Sequence, residues 1–557
     1  MKQDGPLIVQ SDRTVLLEVQ NPLASEARHR LAVFAELERA PEHIHTYRIT
    51  QLGLWNARAA GHSDQEIIET LETFSKFPLP PGIADEITLT IGRYGQISIS
   101  REGERLLISA TSQQVENEIT RIEKISQLLG TRDSKGRFEL APWSRGLIKQ
   151  ELLKRGWPAE DNAGFTPGEP KEIELKSVGW ALRPYQEEAI ARFTETGSGV
   201  IVLPCGAGKT LVGAGAMANL RTNTLILVTN TVSARQWRAE LLERTSLTES
   251  DLGEYSGNVK EIRPVTIASY SIMAAKRKGE FGHLGLLDAK NWGLVIYDEV
   301  HLLPAPVFQL TAQLQARKRL GLTATLVRED GREGDVFSLI GPKRFDVPWK
   351  QLESEGFIAP GICAEIRFDL EESERLEYAS AGDRDRFRLA SISKIKEQIV
   401  SELLQFHETE PTLIIGTYLE QLESISESLE LPLISGSTPI NEREKMYAEF
   451  RSGKIKRLVV SKIANFSIDL PEASVAIQIS GSYGSRQEEA QRLGRILRPK
   501  ASGKSAIFYT LVARDTVDQD FALNRQRFLA EQGYRYTILN STDLANSLPE
   551  FLSANAQ

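Results

Sequence analysis

Short apolar runs set the pattern in the middle of the chain. Val200-Ile201-Val202-Leu203 is apolar throughout and breaks into Pro204-Cys205-Gly206-Ala207-Gly208-Lys209-Thr210, which predicts a buried strand, a glycine turn and a helix start. A second run, Leu294-Val295-Ile296-Tyr297, ends in the adjacent carboxylates Asp298 and Glu299. Toward the N-terminus the spacing changes. A strand is predicted from Thr14 to Val19, and helical periodicity runs through Leu31, Phe34 and Leu37, then Leu52, Leu54 and Trp55, then Ile67, Ile68 and Leu71. Ser63 with Glu66 makes a capping box, a further helix follows Pro80 and Pro81 to about Arg93, and Ile97 to Ser100 with Arg105 to Ser109 reads as a hairpin. Three helices and a hairpin suit a winged-helix module over residues 1–110, and equally a helical cap that packs on the rest of the chain or on a partner. Residues 111–178 open with an amphipathic helix (Val115, Ile119, Ile122, Ile125, Leu128), pass a basic stretch from Thr131 to Phe138, and end in a Pro/Gly-containing segment, Trp157 to Lys171, that reads as a linker.

A chain of 557 residues exceeds one hydrophobic core and implies three or four domains. Its net charge of −8 argues against coating nucleic acid by bulk electrostatics, so any such binding needs a local basic cleft. Two cysteines, Cys205 and Cys363, and seven scattered histidines imply a reducing compartment without a disulfide framework or zinc. His43 and His45 read as surface or turn residues. No stretch reaches the ~18 apolar residues of a membrane span, so a soluble, cytoplasmic chain without a membrane partner is expected.

The glycine turn carries the chemistry. Gly206 and Gly208 let the backbone N–H groups between Pro204 and Thr210 face a nucleotide's phosphates; Lys209 supplies a point charge and Thr210 a hydroxyl for Mg²⁺. Leu203 stands where the usual eight-residue pattern begins with glycine. Adjacent acids at a strand end are often a solvated turn. With a phosphate loop upstream in the same α/β unit, Asp298 can hold Mg²⁺ and Glu299 can orient the attacking water.

With Asp298-Glu299-Val300-His301 the chain resembles the superfamily 2 helicases of the XPB type. Leu182-Arg183-Pro184-Tyr185-Gln186 resembles the adenine-side motif, which implies contacts from Arg183 and Gln186. Leu227 to Thr231 with Gln236-Trp237 resembles motif Ia, Gly321-Leu322-Thr323-Ala324-Thr325 motif III, and Arg328-Glu329-Asp330 the element implied to act at a duplex fork. Downstream, Thr412 to Thr417 resembles the first strand of a second RecA-like lobe, Val459 to Pro471 motif V with Asp469, and Gln487 to Arg498 motif VI. The resemblance implies that Arg495 and Arg498 are arginine fingers, that Gln491 couples the cleft to nucleic acid, that Thr323 to Thr325 and motif V pass closure to DNA with His301 among the coupling residues, and that Thr231 and Ser269 grip backbone phosphates. Ser467 stands where most superfamily 2 proteins have Gly, Ala464-Asn465-Phe466 departs from the archaeal and eukaryotic pattern, and the run Ser461 to Pro471 is similar to the bacterial branch.

The implied fold is α/β: two tandem RecA-like parallel-sheet domains forming a helicase core, with an α+β N-terminal region and a small helical insertion. The expected division is an accessory domain at 1–110, an intermediate segment at 111–178 that the resemblance makes damage-recognition-like, lobe one at 179–345, a connector with a thumb-like insertion at 346–395, lobe two at 396–540 and a frayed tail at 541–557. ATP and Mg²⁺ are the implied cofactors, and single-stranded or forked DNA, bound with little sequence preference, the implied partner. The implied activity is 3′ to 5′ DNA translocation with strand separation in repair. A duplex translocase that leaves strands paired, and an ATP-gated scaffold holding a protein partner through the N-terminal domain, remain open.

Overall fold

The alternation of apolar strands and helices downstream of Arg183 closes into an eight-stranded sheet in the computed structural model. The structure describes residues 5–554 apart from 41–42, 177–178, 205, 258, 278–279, 282, 288, 305–306, 308–313, 315–316, 325–332, 348, 358–360, 462–472, 481–505 and 532–535. Across lobe one the strands run Val259–Lys260, Leu252–Ser256, Val265–Ser269, Thr224–Val228, Leu294–Asp298, Lys318–Thr323, Ser198–Val202 and Lys343–Asp346. Every neighbouring pair is parallel except the first. The central strands are buried on both faces, as crossover helices on either side require.

A second sheet of seven parallel strands forms lobe two, in the order Leu433–Ile434, Arg457–Ser461, Thr412–Gly416, Val475–Gln478, Ala506–Ala513, Gly361–Phe368 and Tyr536–Asn540. Gly361–Phe368 lies inside the stretch expected as a connector, so lobe two begins earlier than residue 396. Its eight-residue pairing with Ala506–Ala513 spans the whole chain segment between them, which local spacing cannot reveal. The charge-dense stretch that follows does form a helical pair, Glu372–Ser380 and Asp383–Ser391. The expected frayed tail is instead a helix, Leu544–Ala554, with Leu544, Leu548 and Phe551 buried at helical spacing in the lobe-two core.

Two smaller units precede the lobes. The first is an antiparallel sheet of Leu7–Val9, Thr14–Glu18, Ile44–Ile49 and Ala35–Arg39, packed against helices that include Gln51–Ala59, Asp64–Phe74 and Ile83–Gly92. Ser63 and Glu66 cap Asp64–Phe74 as expected. Leu37 lies in a strand, not a helix: Ala35 and Leu37 face inward with period two, and the helix ends at Leu31. His45 is buried in the sheet, where burial pushes its imidazole down to about 4, so it is not a surface residue.

The expected hairpin forms as Ile97–Glu102 and Arg105–Ala110, but it does not complete a winged helix. It belongs to a five-stranded sheet with Leu129–Arg132, Phe138–Leu140 and Ala159–Asp161, whose core runs from Ile97 to Ala163. The basic stretch beside it is paired internally, Arg132 with Glu116 and Arg137 with Asp133 and Glu102. The segment expected as a linker is pinned: Ala159–Asp161 is a strand, and beyond it the Glu169 and Lys171 N–H groups bond to the Asn291 and Arg221 carbonyls of lobe one.

Candidate active site

Register brings the predicted chemistry to one sheet edge. Val202 pairs with Thr323, and Asp298 pairs with Leu322, so the ends of three adjacent strands deliver the glycine turn, the two carboxylates and Thr323 to the same side. In open α/β sheets this carboxyl edge is where ligands bind. The helix Lys209–Leu220 begins directly after the turn and directs its N-terminal dipole into it.

The turn is held from behind by the helix Pro184–Thr196. Gln186 Nε2 and Tyr185 Oη both donate to the Ala207 carbonyl at 2.9 Å, which fixes the peptide that turns the chain toward Lys209. Gln186 Oε1 meanwhile accepts from the Arg183 N–H at 2.9 Å. Both ends of this amide are thus engaged by backbone, which places Gln186 behind the loop as a support. Gly208 has φ of 80°, and a Cβ there would come within 2.4 Å of Gln186 Nε2, so the position demands glycine twice over. The Arg183 guanidinium stacks 4.9 Å above the Phe357 ring and donates to its carbonyl, linking lobe one to the chain that enters lobe two.

Lys209 Nζ sits 3.1 Å from Glu299 Oε1, with both side chains largely enclosed. Trp237 Nε1, from the helix Thr231–Arg244, donates to Asp298 Oδ2 at 2.9 Å, and Tyr270 Oη donates to the Asp298 carbonyl at 2.7 Å. Burial and the neighbouring Glu299 charge push the Asp298 carboxyl up to about 6. At Glu299 burial acts in the same direction, but the Lys209 ammonium overrides it and His301 adds to the effect, so this carboxyl titrates below its ordinary range. Glu299 also has φ of 49° and ψ of 55°, a left-handed conformation that costs on the order of 1–3 kcal/mol in a non-glycine residue and marks a constrained site.

His301 joins Nδ1 to Thr323 Oγ1 at 2.6 Å and lies 3.6 Å from Glu299 Oε2, so the Glu299 carboxylate, the histidine and Thr323 form one chain. Thr210 is half-buried at the helix start, and Pro204 caps the turn by accepting from the Ala207 N–H. Thr231 is exposed at its helix N-terminus, while Ser269 is buried with its hydroxyl 3.0 Å from that of the exposed Ser271. Cys205, Thr325, Arg328, Glu329, Asp330, Asp469, Gln491, Arg495 and Arg498 lie outside the described residues. The contributions of Tyr185, Trp237 and Tyr270 were missed as site residues. Tyr185 and Trp237 stand inside quoted motifs, yet which atom each reaches depends on the crossover of helices that spacing does not specify.

Two parallel-sheet lobes, with a phosphate loop and paired carboxylates on the first, define a superfamily 2 helicase core. The chain matches the family model described as "ERCC3/RAD25/XPB C-terminal helicase" over residues 352–557, that described as "Type III restriction enzyme, res subunit" over 180–328, and that described as "Helicase conserved C-terminal domain" over 7–134. It is 59% identical to the "DNA 3'-5' helicase XPB" of Kineococcus radiotolerans, over 98% of each chain. It is 56% identical to the protein of the same name from Mycobacterium tuberculosis, over 97% of this chain and 99% of that one. A transcription and DNA repair factor IIH helicase/translocase subunit XPB, from Encephalitozoon cuniculi, is 33% identical over 97% of this chain and 84% of its own. The chain belongs to the XPB helicase family.

Proposed function

We propose that the chain is an ATP-dependent DNA helicase that moves 3′ to 5′ and separates strands during nucleotide-excision-type repair. The observation that carries this reading is the constellation of Lys209, Glu299 and Asp298 at the carboxyl edge of lobe one, with Lys209 Nζ 3.1 Å from Glu299 Oε1. ATP is the substrate. Its β and γ phosphates meet the loop N–H groups and the Lys209 ammonium, while Glu299 orients water for in-line attack. The donor set fits Mg²⁺: a hard cation takes oxygen ligands, and the Thr210 hydroxyl and Asp298 carboxylate are the oxygens offered at the helix start and strand end. When bound, the ion would neutralise charge developing on the phosphates.

Arg495 and Arg498 from lobe two would complete the site as fingers, with Gln491 beside them. His301 and Thr323 would pass closure toward DNA, which Thr231, Ser269, Thr325 and Asp469 would contact or couple. We assign Arg328, Glu329 and Asp330 to the fork, residues 5–92 and 97–163 to accessory units, the second the candidate for damage recognition, and Glu372–Ser391 to the thumb-like insertion. Among the described residues no helix is long and apolar enough to cross a membrane. A cytoplasmic, nucleoid-associated protein fits this reading.

The test is the ATPase rate with no nucleic acid, single-stranded DNA, duplex, fork and RNA side by side, together with strand displacement on the fork. Stimulation by DNA with displacement is the expected outcome. Stimulation by duplex without displacement would favour a translocase, a reading that the paired words "helicase/translocase" in the name of the Encephalitozoon cuniculi relative keep in view.

A further inference from the structure

A polar cavity of about 470 Å³ lies where the two accessory units meet lobe one. It occupies the end of the sheet opposite the phosphate loop. Ser198 and Arg319 line it, and their strands lead at the other end to Val202 and Thr323. Its charged lining is predominantly cationic: Arg58 from the first unit, Lys149 from the second, and Arg319 and Arg344 from lobe one, against Glu160 and Asp161.

Asp161 is already committed. Its Oδ1 is 2.8 Å from Arg145 Nη2 and its Oδ2 is 2.8 Å from Lys149 Nζ, two cations for one carboxylate. Arg344 gives its N–H groups to carbonyls, Ser198 O at 3.0 Å and Ala59 O at 2.9 Å, and Arg319 gives its own to the Leu339 carbonyl at 2.8 Å. These bonds orient the guanidinium groups along the cavity wall. The backbone is shaped for this arrangement: Gly199 has φ of 151°, and a Cβ there would come within 2.3 Å of Arg344 Cγ, where the arginine stem crosses the strand. Burial pulls Arg319 down to about 10 although Asp161 acts against it, and pulls Arg344 below its ordinary value against Tyr94 and Glu195, so an added anion would act in the same sense as these groups.

We propose that this junction cavity binds a small phosphorylated anion, which fastens both accessory units to the strands that carry the phosphate loop and motif III. Cationic groups from different units suit the charge of a phosphate, and the volume falls within the range of small-molecule sites, roughly 300–1,000 Å³. The site is independent of ATP hydrolysis and stands whether or not the helicase reading does.

The test uses inorganic pyrophosphate as probe, titrated calorimetrically into the full chain at low ionic strength without divalent cations. The chain carries Lys209→Ala so that the phosphate loop is disabled. One equivalent of binding is expected, and adding Arg58→Glu or Arg344→Gln should weaken it about tenfold or more, the order expected for losing a charge-assisted contact. Arg58 is exposed, so Arg58→Glu leaves a folded chain even if Arg344→Gln does not. Absence of binding in the Lys209→Ala chain, or binding indifferent to Arg58→Glu, overturns the proposal.

Discussion

Trp237 Nε1 donates to Asp298 Oδ2 at 2.9 Å, so a helix on one side of lobe one fixes the carboxylate at the end of a strand 61 residues later. A carboxyl pushed up to about 6 must lose its proton before it can hold a cation, and this bond favours the charged form. Trp237→Phe therefore raises the Asp298 pKa further, by about one to two units if a hydrogen bond to a charged group is worth about 1.5–3 kcal/mol. The acid limb of the Mg²⁺-dependent ATPase profile should move to higher pH, with weaker apparent Mg²⁺ affinity near pH 6. An unchanged limb would leave Trp237 as core packing only.

Lys209→Ala and Glu299→Gln should both abolish hydrolysis, lowering turnover on the order of a hundredfold or more, the scale seen when one preorganised electrostatic group is removed. Nucleotide affinity separates them. Fluorescent-nucleotide titration should show weak binding for Lys209→Ala and near-normal binding for Glu299→Gln. Retained ATPase in Glu299→Gln would refute the role given to that carboxylate.

The 2.6 Å link between His301 and Thr323 extends the contact of Glu299 with His301 to the end of the next strand. His301→Ala should keep most basal ATPase yet reduce DNA-stimulated turnover by about twofold to thirtyfold, matching a coupling term of roughly 0.5–2 kcal/mol. Equal loss of both rates would make the histidine part of the hydrolytic site instead.

Asp161 faces a burial penalty that would raise its pKa, but Lys149 and Arg145 outweigh it and hold the carboxyl below its ordinary 3.8. A carboxyl with a depressed folded pKa contributes stability above its unfolded pKa and loses it as pH falls. Asp161→Asn should therefore destabilise the chain at pH 7 by about 3–5 kcal/mol, since it strands two buried cations, and the difference from wild type should shrink below about pH 4. Urea melts across that range give the measurement; a variant as stable as wild type at neutral pH would show the cluster to be solvated.

Replacing Arg328, Glu329 and Asp330 together by Ala should spare DNA-stimulated ATPase and reduce strand displacement on the same forked substrate. Both assays belong at one salt concentration, because phosphate contacts are screened. A plain surface turn predicts no change in either, and a brace between lobes predicts equal loss of both.

The glycine turn, the paired carboxylates and the two parallel sheets were legible from local pattern alone. Lys209 follows its glycine turn, and Asp298 and Glu299 end their apolar run, because strand, loop and helix start are local features of the chain. The capping box at Ser63 and Glu66 and the hairpin around Gly103 were legible for the same reason. Long-range packing set which sheet that hairpin joins, that Gly361–Phe368 pairs with Ala506–Ala513, and that Leu544–Ala554 packs down as a helix. It alone decided that Gln186 and Tyr185 converge on the Ala207 carbonyl, that Trp237 reaches Asp298, and that cations from three units line one cavity. The reason is physical: backbone propensity and hydrophobic period are fixed by neighbours in the chain. The partner of a strand edge, a ring N–H or a buried charge is fixed by which distant surface excludes water from it.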